Sequence, residues 1–272
     1  MNWRAIFAIV RKDLKVVIQN KGVTIPIVVV PLILFGLLPW LSVFVPSMVN
    51  IGGSDMEELT AMIANMPAGL QNELAPYTIE QQTIVFFLVY MLAPMFLIIP
   101  LMVASVIAAD SFAGERERRT LEALLYTPTT DRELFIGKLL SAWLPAIAVA
   151  LAGFILYTVM ANAAAWPTMG QMFFPNLMWV VMTLWVVPAA AGLGLSTMVL
   201  VSARAQGFQD AYQTGGMIVL PVLLLVFGQI SGVMYFSVWV VLLLGLVLWA
   251  IDVALIWFGI RTFRRGRLIA RL

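Results

Sequence analysis

The chain has 272 residues, of which 62% are hydrophobic and 11% charged, with a net charge of +2. That apolar content, far above the roughly 45–50% of soluble domains, together with a mean hydropathy of +0.99, excludes a water-soluble protein and makes the bilayer its solvent. Cysteine and histidine are both absent, which removes thiolate nucleophiles, disulfides, Cys/His metal sites, haem ligation by histidine and every histidine-based triad or proton shuttle.

The first twenty residues carry charges throughout and close on no small-residue cleavage site, so the mature chain is expected to start at Met1. Over residues 1–22, Trp3, Ile6, Phe7, Val10, Leu14, Val17 and Ile18 recur at helical spacing, while Arg4, Arg11, Lys12, Lys15 and Gln19 take the other face. That pattern predicts an amphipathic helix lying flat among membrane lipids. Such a helix serves as a lever driven by a partner, with a plain lipid anchor as the lesser reading.

Six apolar blocks follow, at about 24–46, 84–109, 138–161, 176–201, 215–233 and 237–260, each near the 20 residues that cross roughly 30 Å of hydrocarbon. The expected fold is all-α, a single polytopic membrane domain of six transmembrane helices. Pro26, Pro31 and Pro39 in the first span, and Pro94 and Pro100 in the second, mark kinks whose freed carbonyls could be used functionally, or equally plain structural bends. Between these spans, over 47–83, Ser54 with Glu57 fits a capping box. The helix it opens, with Met56, Leu59, Ile63 and Met66 on one face, should end at Pro67. Thr78 with Gln81 makes a second box at the start of the next helix.

In the fourth span Gly192, Gly194 and Ser196 permit close helix approach, as do Gly228 and Gly232 in the fifth, which serve either a dimer contact or packing inside one subunit. Asp252 is the ionisable side chain placed deep inside a predicted span, where a charge costs at least about 2.5–3.5 kcal/mol. It should face protein or water; an ion or substrate site and a hydrogen-bonded structural residue both fit.

With six spans, all sixteen Lys and Arg fall in four segments on one face, and the first segment of the opposite face carries Asp55, Glu57, Glu58, Glu73 and Glu80. The positive-inside rule places that basic face, and both termini, in the cytoplasm of a cell inner membrane. The basic residues flank apolar blocks rather than cover a soluble surface, so no nucleic-acid partner is expected.

The densest charge lies between the second and third spans, over 110–137. Leu121, Leu124 and Leu125 share one helical face, and Glu115, Arg118, Arg119 and Glu122 can pair at i,i+3 and i,i+4. Pro128 stops this helix, and Thr130 with Glu133 forms a capping box that opens the third span. A helix hung there would move both neighbouring spans when pushed.

The Glu-Arg, Thr-Leu-Glu, Leu-Leu, Thr-Pro and Gly-Lys pattern from Glu115 to Lys138 resembles the coupling-helix region of type-2 ABC exporter permeases, and the six-span layout extends the likeness over most of the chain. The resemblance implies a permease subunit, paired with a second copy or a homologous permease, on two ABC ATP-binding subunits. It implies that Glu115, Arg118, Arg119, Thr120, Leu121, Glu122 and Leu125 face that ATPase, and that a dimer contact lies near the first and fifth spans. Gly137-Lys138 lacks the earlier glycine of a phosphate-binding loop, so no cofactor is expected on this chain. ATP and Mg would belong to the partner, and the chain would be no enzyme itself. Two rival classes stand beside the exporter: a membrane scaffold that recruits an ATPase without moving a solute, and an intramembrane enzyme, for which the few polar residues within the spans are a poor set.

Overall fold

The computed structural model describes residues 2–48, 61, 63–118, 129–202 and 204–262. The described residues form helices and connections without strands, and six helices are long and apolar enough to cross a membrane, as expected. We label them with two shorter helices: α1 (Trp3–Gln19), α2 (Lys21–Phe44, the first span), α3 (Ala68–Leu74), α4 (Ile79–Gly114), α5 (Arg132–Met169), α6 (Leu177–Ser202), α7 (Phe208–Ile230) and α8 (Val238–Trp257).

The corner between α1 and α2 is built by short polar side chains. Asn2 opens α1 by accepting from Arg4 N and Ala5 N. Asn20 ends α1 and caps α2 through Gly22 N at 3.1 Å, while Thr24 Oγ1 donates back to Val17 O at 2.7 Å. These bonds satisfy helix-end groups that otherwise need water. α1 carries two apolar stripes rather than one. Ile6, Ile9, Val10 and Val17 are buried against the protein, whereas Trp3, Phe7 and Ile18 are exposed.

α4 and α6 form the centre, their apolar stretches 67% and 61% buried against 17–28% for the other four spans. They meet closely because Gly194 has no side chain: a Cβ there would sit 2.6 Å from the main-chain oxygen of Leu101. Helices apolar on all sides belong in such a centre. Phe35 of α2, Phe96 of α4, Phe154 and Tyr157 of α5, Phe174 of the α5–α6 connection and Trp179 of α6 pack as an aromatic cluster.

The capping boxes at Thr78/Gln81 and Thr130/Glu133 both form. The box at Ser54/Glu57 lies outside the described residues, and Pro67 immediately precedes α3, which buries Leu70 and Leu74. The Gly228–Gly232 pair is corrected: α7 ends at Ile230, and Gly232 stands in the following turn with φ +72. Its glycine serves a left-handed helix stop, and Gly228 faces Met234 of the same connection.

Candidate functional site

The charged residues at the end of the bundle near α1 gather around the short stretch from Asp110 to Arg118. Its first part, Asp110–Gly114, winds as a π-helix and continues into an α-turn at Glu115–Glu117. One wide π turn plus one α turn brings residues eight apart onto one side. Arg118 Nη1 accordingly meets Asp110 Oδ1 at 2.9 Å, and Asn20 Nδ2 donates to the same oxygen at 3.3 Å.

Glu115 turns inward and is 3% exposed. One oxygen accepts from Lys12 of α1, and the other from Lys138 of α5 at 2.5 Å. Lys138 is fully buried; it also donates to Ser111 O at 2.7 Å and lies 5.4 Å from the centroid of the Phe112 ring. Asp13 completes the set, 3.8 Å from Lys138 and 3.1 Å from Lys12, with Ser141 Oγ donating to it at 3.1 Å. Asp13, Glu115 and Lys138 are thus buried together, with the partly exposed Lys12 supplying the second positive charge, the balance that makes such burial tolerable. Burial alone would lower the Lys12 ammonium, but its hydrogen bond to Glu115 and the charge of Asp13 hold it above its ordinary 10.5.

Two further contacts widen the junction. Glu133 accepts from Asn2 N at 2.5 Å, tying the start of α1 to the start of α5, and Gly137 lets Ile9 approach the α5 backbone. Glu117 accepts from Phe208 N at 2.9 Å, which ties the same stretch to the start of α7. Three helices, α1, α5 and α7, and the α1–α2 corner therefore meet on nine residues of chain.

Of the ATPase-facing residues expected from the sequence, Glu115 and Arg118 are described; Arg119, Thr120, Leu121, Glu122 and Leu125 lie outside the described residues. Among the described residues Glu115 bonds to Lys12 and Lys138, and Arg118 to Asp110; the pairing expected with Arg119 and Glu122 lies outside the described residues. Asp252 is buried in α8, accepts from Ser196 Oγ at 3.4 Å and lies against Gly192 of α6. It is not gathered into the junction. Among the described residues no cluster of acidic side chains could hold a metal.

The sequence reading missed Asp13, Lys12 and Asp110 as members of this junction. A signal was present for Asp13: it recurs with Ile6, Ile9, Val10 and Val17 on the apolar stripe of a basic helix, and an acid so placed requires a buried cation. Lys138 and Asp110 stand at the two limits of the expected coupling segment 110–137, which α4 enters as far as Gly114 and α5 from Arg132, and nothing local pairs them with α1.

Residues 7–237 match the family described as ABC-2 family transporter protein, a stretch from α1 to the threshold of α8 that contains Lys12, Asp13, Asp110, Glu115, Glu117 and Lys138. No curated protein and no solved structure matches the chain. With six membrane-crossing helices and a family match over most of its length, the chain belongs to the ABC-2 transporter family and is a membrane permease subunit of an ABC transporter.

Proposed function

We propose that this permease is the membrane half of an exporter driven by two copies of a separate ABC ATP-binding subunit, which dock on the segment 110–137 and bind the ATP and Mg. A second permease, identical or homologous, completes the pathway. The basic face and both termini lie in the cytoplasm, and substrate leaves from the cytoplasm or the inner leaflet. The observation that carries this reading is the junction itself. The stretch that opens the proposed docking segment is bonded to α1, α5 and α7 at once, so a push there reaches three helices through short, charge-assisted contacts. Lipid binding by the exposed stripe of α1 at Trp3, Phe7 and Ile18 fits the same placement.

The test is purification of the tagged chain from its native membrane in mild detergent, with assay of ATP hydrolysis. A stoichiometric ATP-binding subunit is expected, and Arg119→Ala, on the proposed docking surface, is expected to leave insertion intact while weakening association or uncoupling hydrolysis. Glu115→Ala is a poorer probe of docking, since the buried carboxylate also holds Lys138. Solitary behaviour of the wild-type chain under conditions that preserve a control ABC complex would overturn the proposal.

A further inference from the structure

The start of α7 lacks a cap of its own. Gly207 precedes Phe208 with extended backbone and has no side chain to accept from the first helical N–H groups. Glu117, ninety-one positions earlier, accepts from Phe208 N instead. Gly207 is required for this approach rather than for its backbone angles: at φ −165 any residue is comfortable, but a Cβ there would stand 2.7 Å from the Glu117 carboxylate. A carboxylate at a helix N-terminus is favoured by both the free N–H groups and the helix dipole.

We propose that Glu117 is a positioning residue for transport: as a cap supplied from another part of the chain, it carries displacement of the 110–118 stretch to the fifth span. The inference rests on the coupling role proposed for the segment that follows. Three acidic residues of one short stretch then divide the output, Asp110 to the α1–α2 corner through Asn20, Glu115 to α1 and α5, and Glu117 to α7. Of these three, Glu117 is the one that hydrogen-bonds to the fifth span among the described residues, and the residues Gln209, Tyr212, Gln213 and Thr214 of that span are exposed. An exposed polar face of this kind suits a water-filled path better than lipid.

The chain has no native cysteine, so single spin labels can be placed at Gln213→Cys on α7 and, separately, at Arg11→Cys on α1, both exposed. The complex with its ATP-binding subunit is reconstituted in lipid nanodiscs, and label mobility is compared without nucleotide and after trapping with ATP and vanadate. In the otherwise wild-type protein both positions are expected to respond. Glu117→Ala is expected to abolish the response at 213 and keep that at 11, and Glu117→Gln, which retains an acceptor oxygen, to restore it. Asp210→Ala serves as the control for a merely structural role, because Asp210 accepts from Gln206 N at 2.9 Å and so supports the same turn without touching Glu117. It is expected to keep the response at 213. An undiminished response at 213 in Glu117→Ala, or an equal loss in Asp210→Ala, overturns the inference and leaves the ATPase reading standing. No response at either position in the wild-type background overturns both.

Discussion

At the scale of single residues, the junction is governed by charge balance. Asp13 and Glu115 are offset by Lys12 and Lys138, and three of the four side chains are almost wholly buried. Removing one partner of such a set strands a buried charge, which costs about 3–5 kcal/mol, whereas removing a balanced pair costs far less. Lys138→Met is therefore expected to lower the stability of the detergent-solubilised protein by about that amount, and the double variant Lys138→Met/Glu115→Gln, which restores neutrality, to recover a substantial part. Thermal unfolding of the two variants decides the point. A double variant no more stable than the single would show that packing around the Lys138 stem, not charge, carries the cost. The presence of a basic helix with one acid on its apolar stripe was legible in the sequence; that its cation would be Lys138 was not, since Asp13 and Ser141, which share the site, stand 128 positions apart.

At the scale of elements, the most informative feature is the π-helical stretch Phe86–Met91 in α4. Three consecutive carbonyls there are taken by three other spans: Leu88 O by Tyr157 Oη at 2.7 Å, Val89 O by Trp179 Nε1 at 2.7 Å, and Tyr90 O by Gln229 Nε2 at 2.5 Å. Pro94 accounts for one of them, because it has no N–H to offer the carbonyl four residues earlier. The prolines thus announced freed carbonyls in the sequence, but the donors come from 69, 90 and 139 positions away, and nothing local names them. In lipid these bonds replace water that is absent. Tyr157→Phe is expected to cost about 1 kcal/mol by leaving the Leu88 carbonyl unpaired. Gln229→Leu should cost less, because it also removes Oε1, which is buried and has no hydrogen-bond partner among the described residues. Unfolding of both variants side by side gives the order, and a larger loss for Gln229→Leu would sink the carbonyl-pairing argument.

At the scale of the whole molecule, hydropathy and charge agree on six spans, and the six helices of the structure bear that number out. Which spans would be central was not legible, because all six are apolar enough to be buried; the choice of α4 and α6 is made by Gly194 and the small residues around it, which let two backbones meet. Orientation depends on the charge argument alone, and it can be tested separately from transport. Met172, 72% exposed in the connection between α5 and α6, and Arg204, exposed between α6 and α7, stand on opposite sides of a single span. With no native cysteine in the background, a membrane-impermeant maleimide is expected to label Met172→Cys in cells whose inner membrane is intact and Arg204→Cys only once that membrane is opened. The inverse pattern would turn the basic face outward, against the electrostatic bias that sets topology, and would place the charged junction where no ATP-binding subunit could reach it. Labelling of both positions from the same side would instead remove α6 as a span and with it the even count that puts the two termini together.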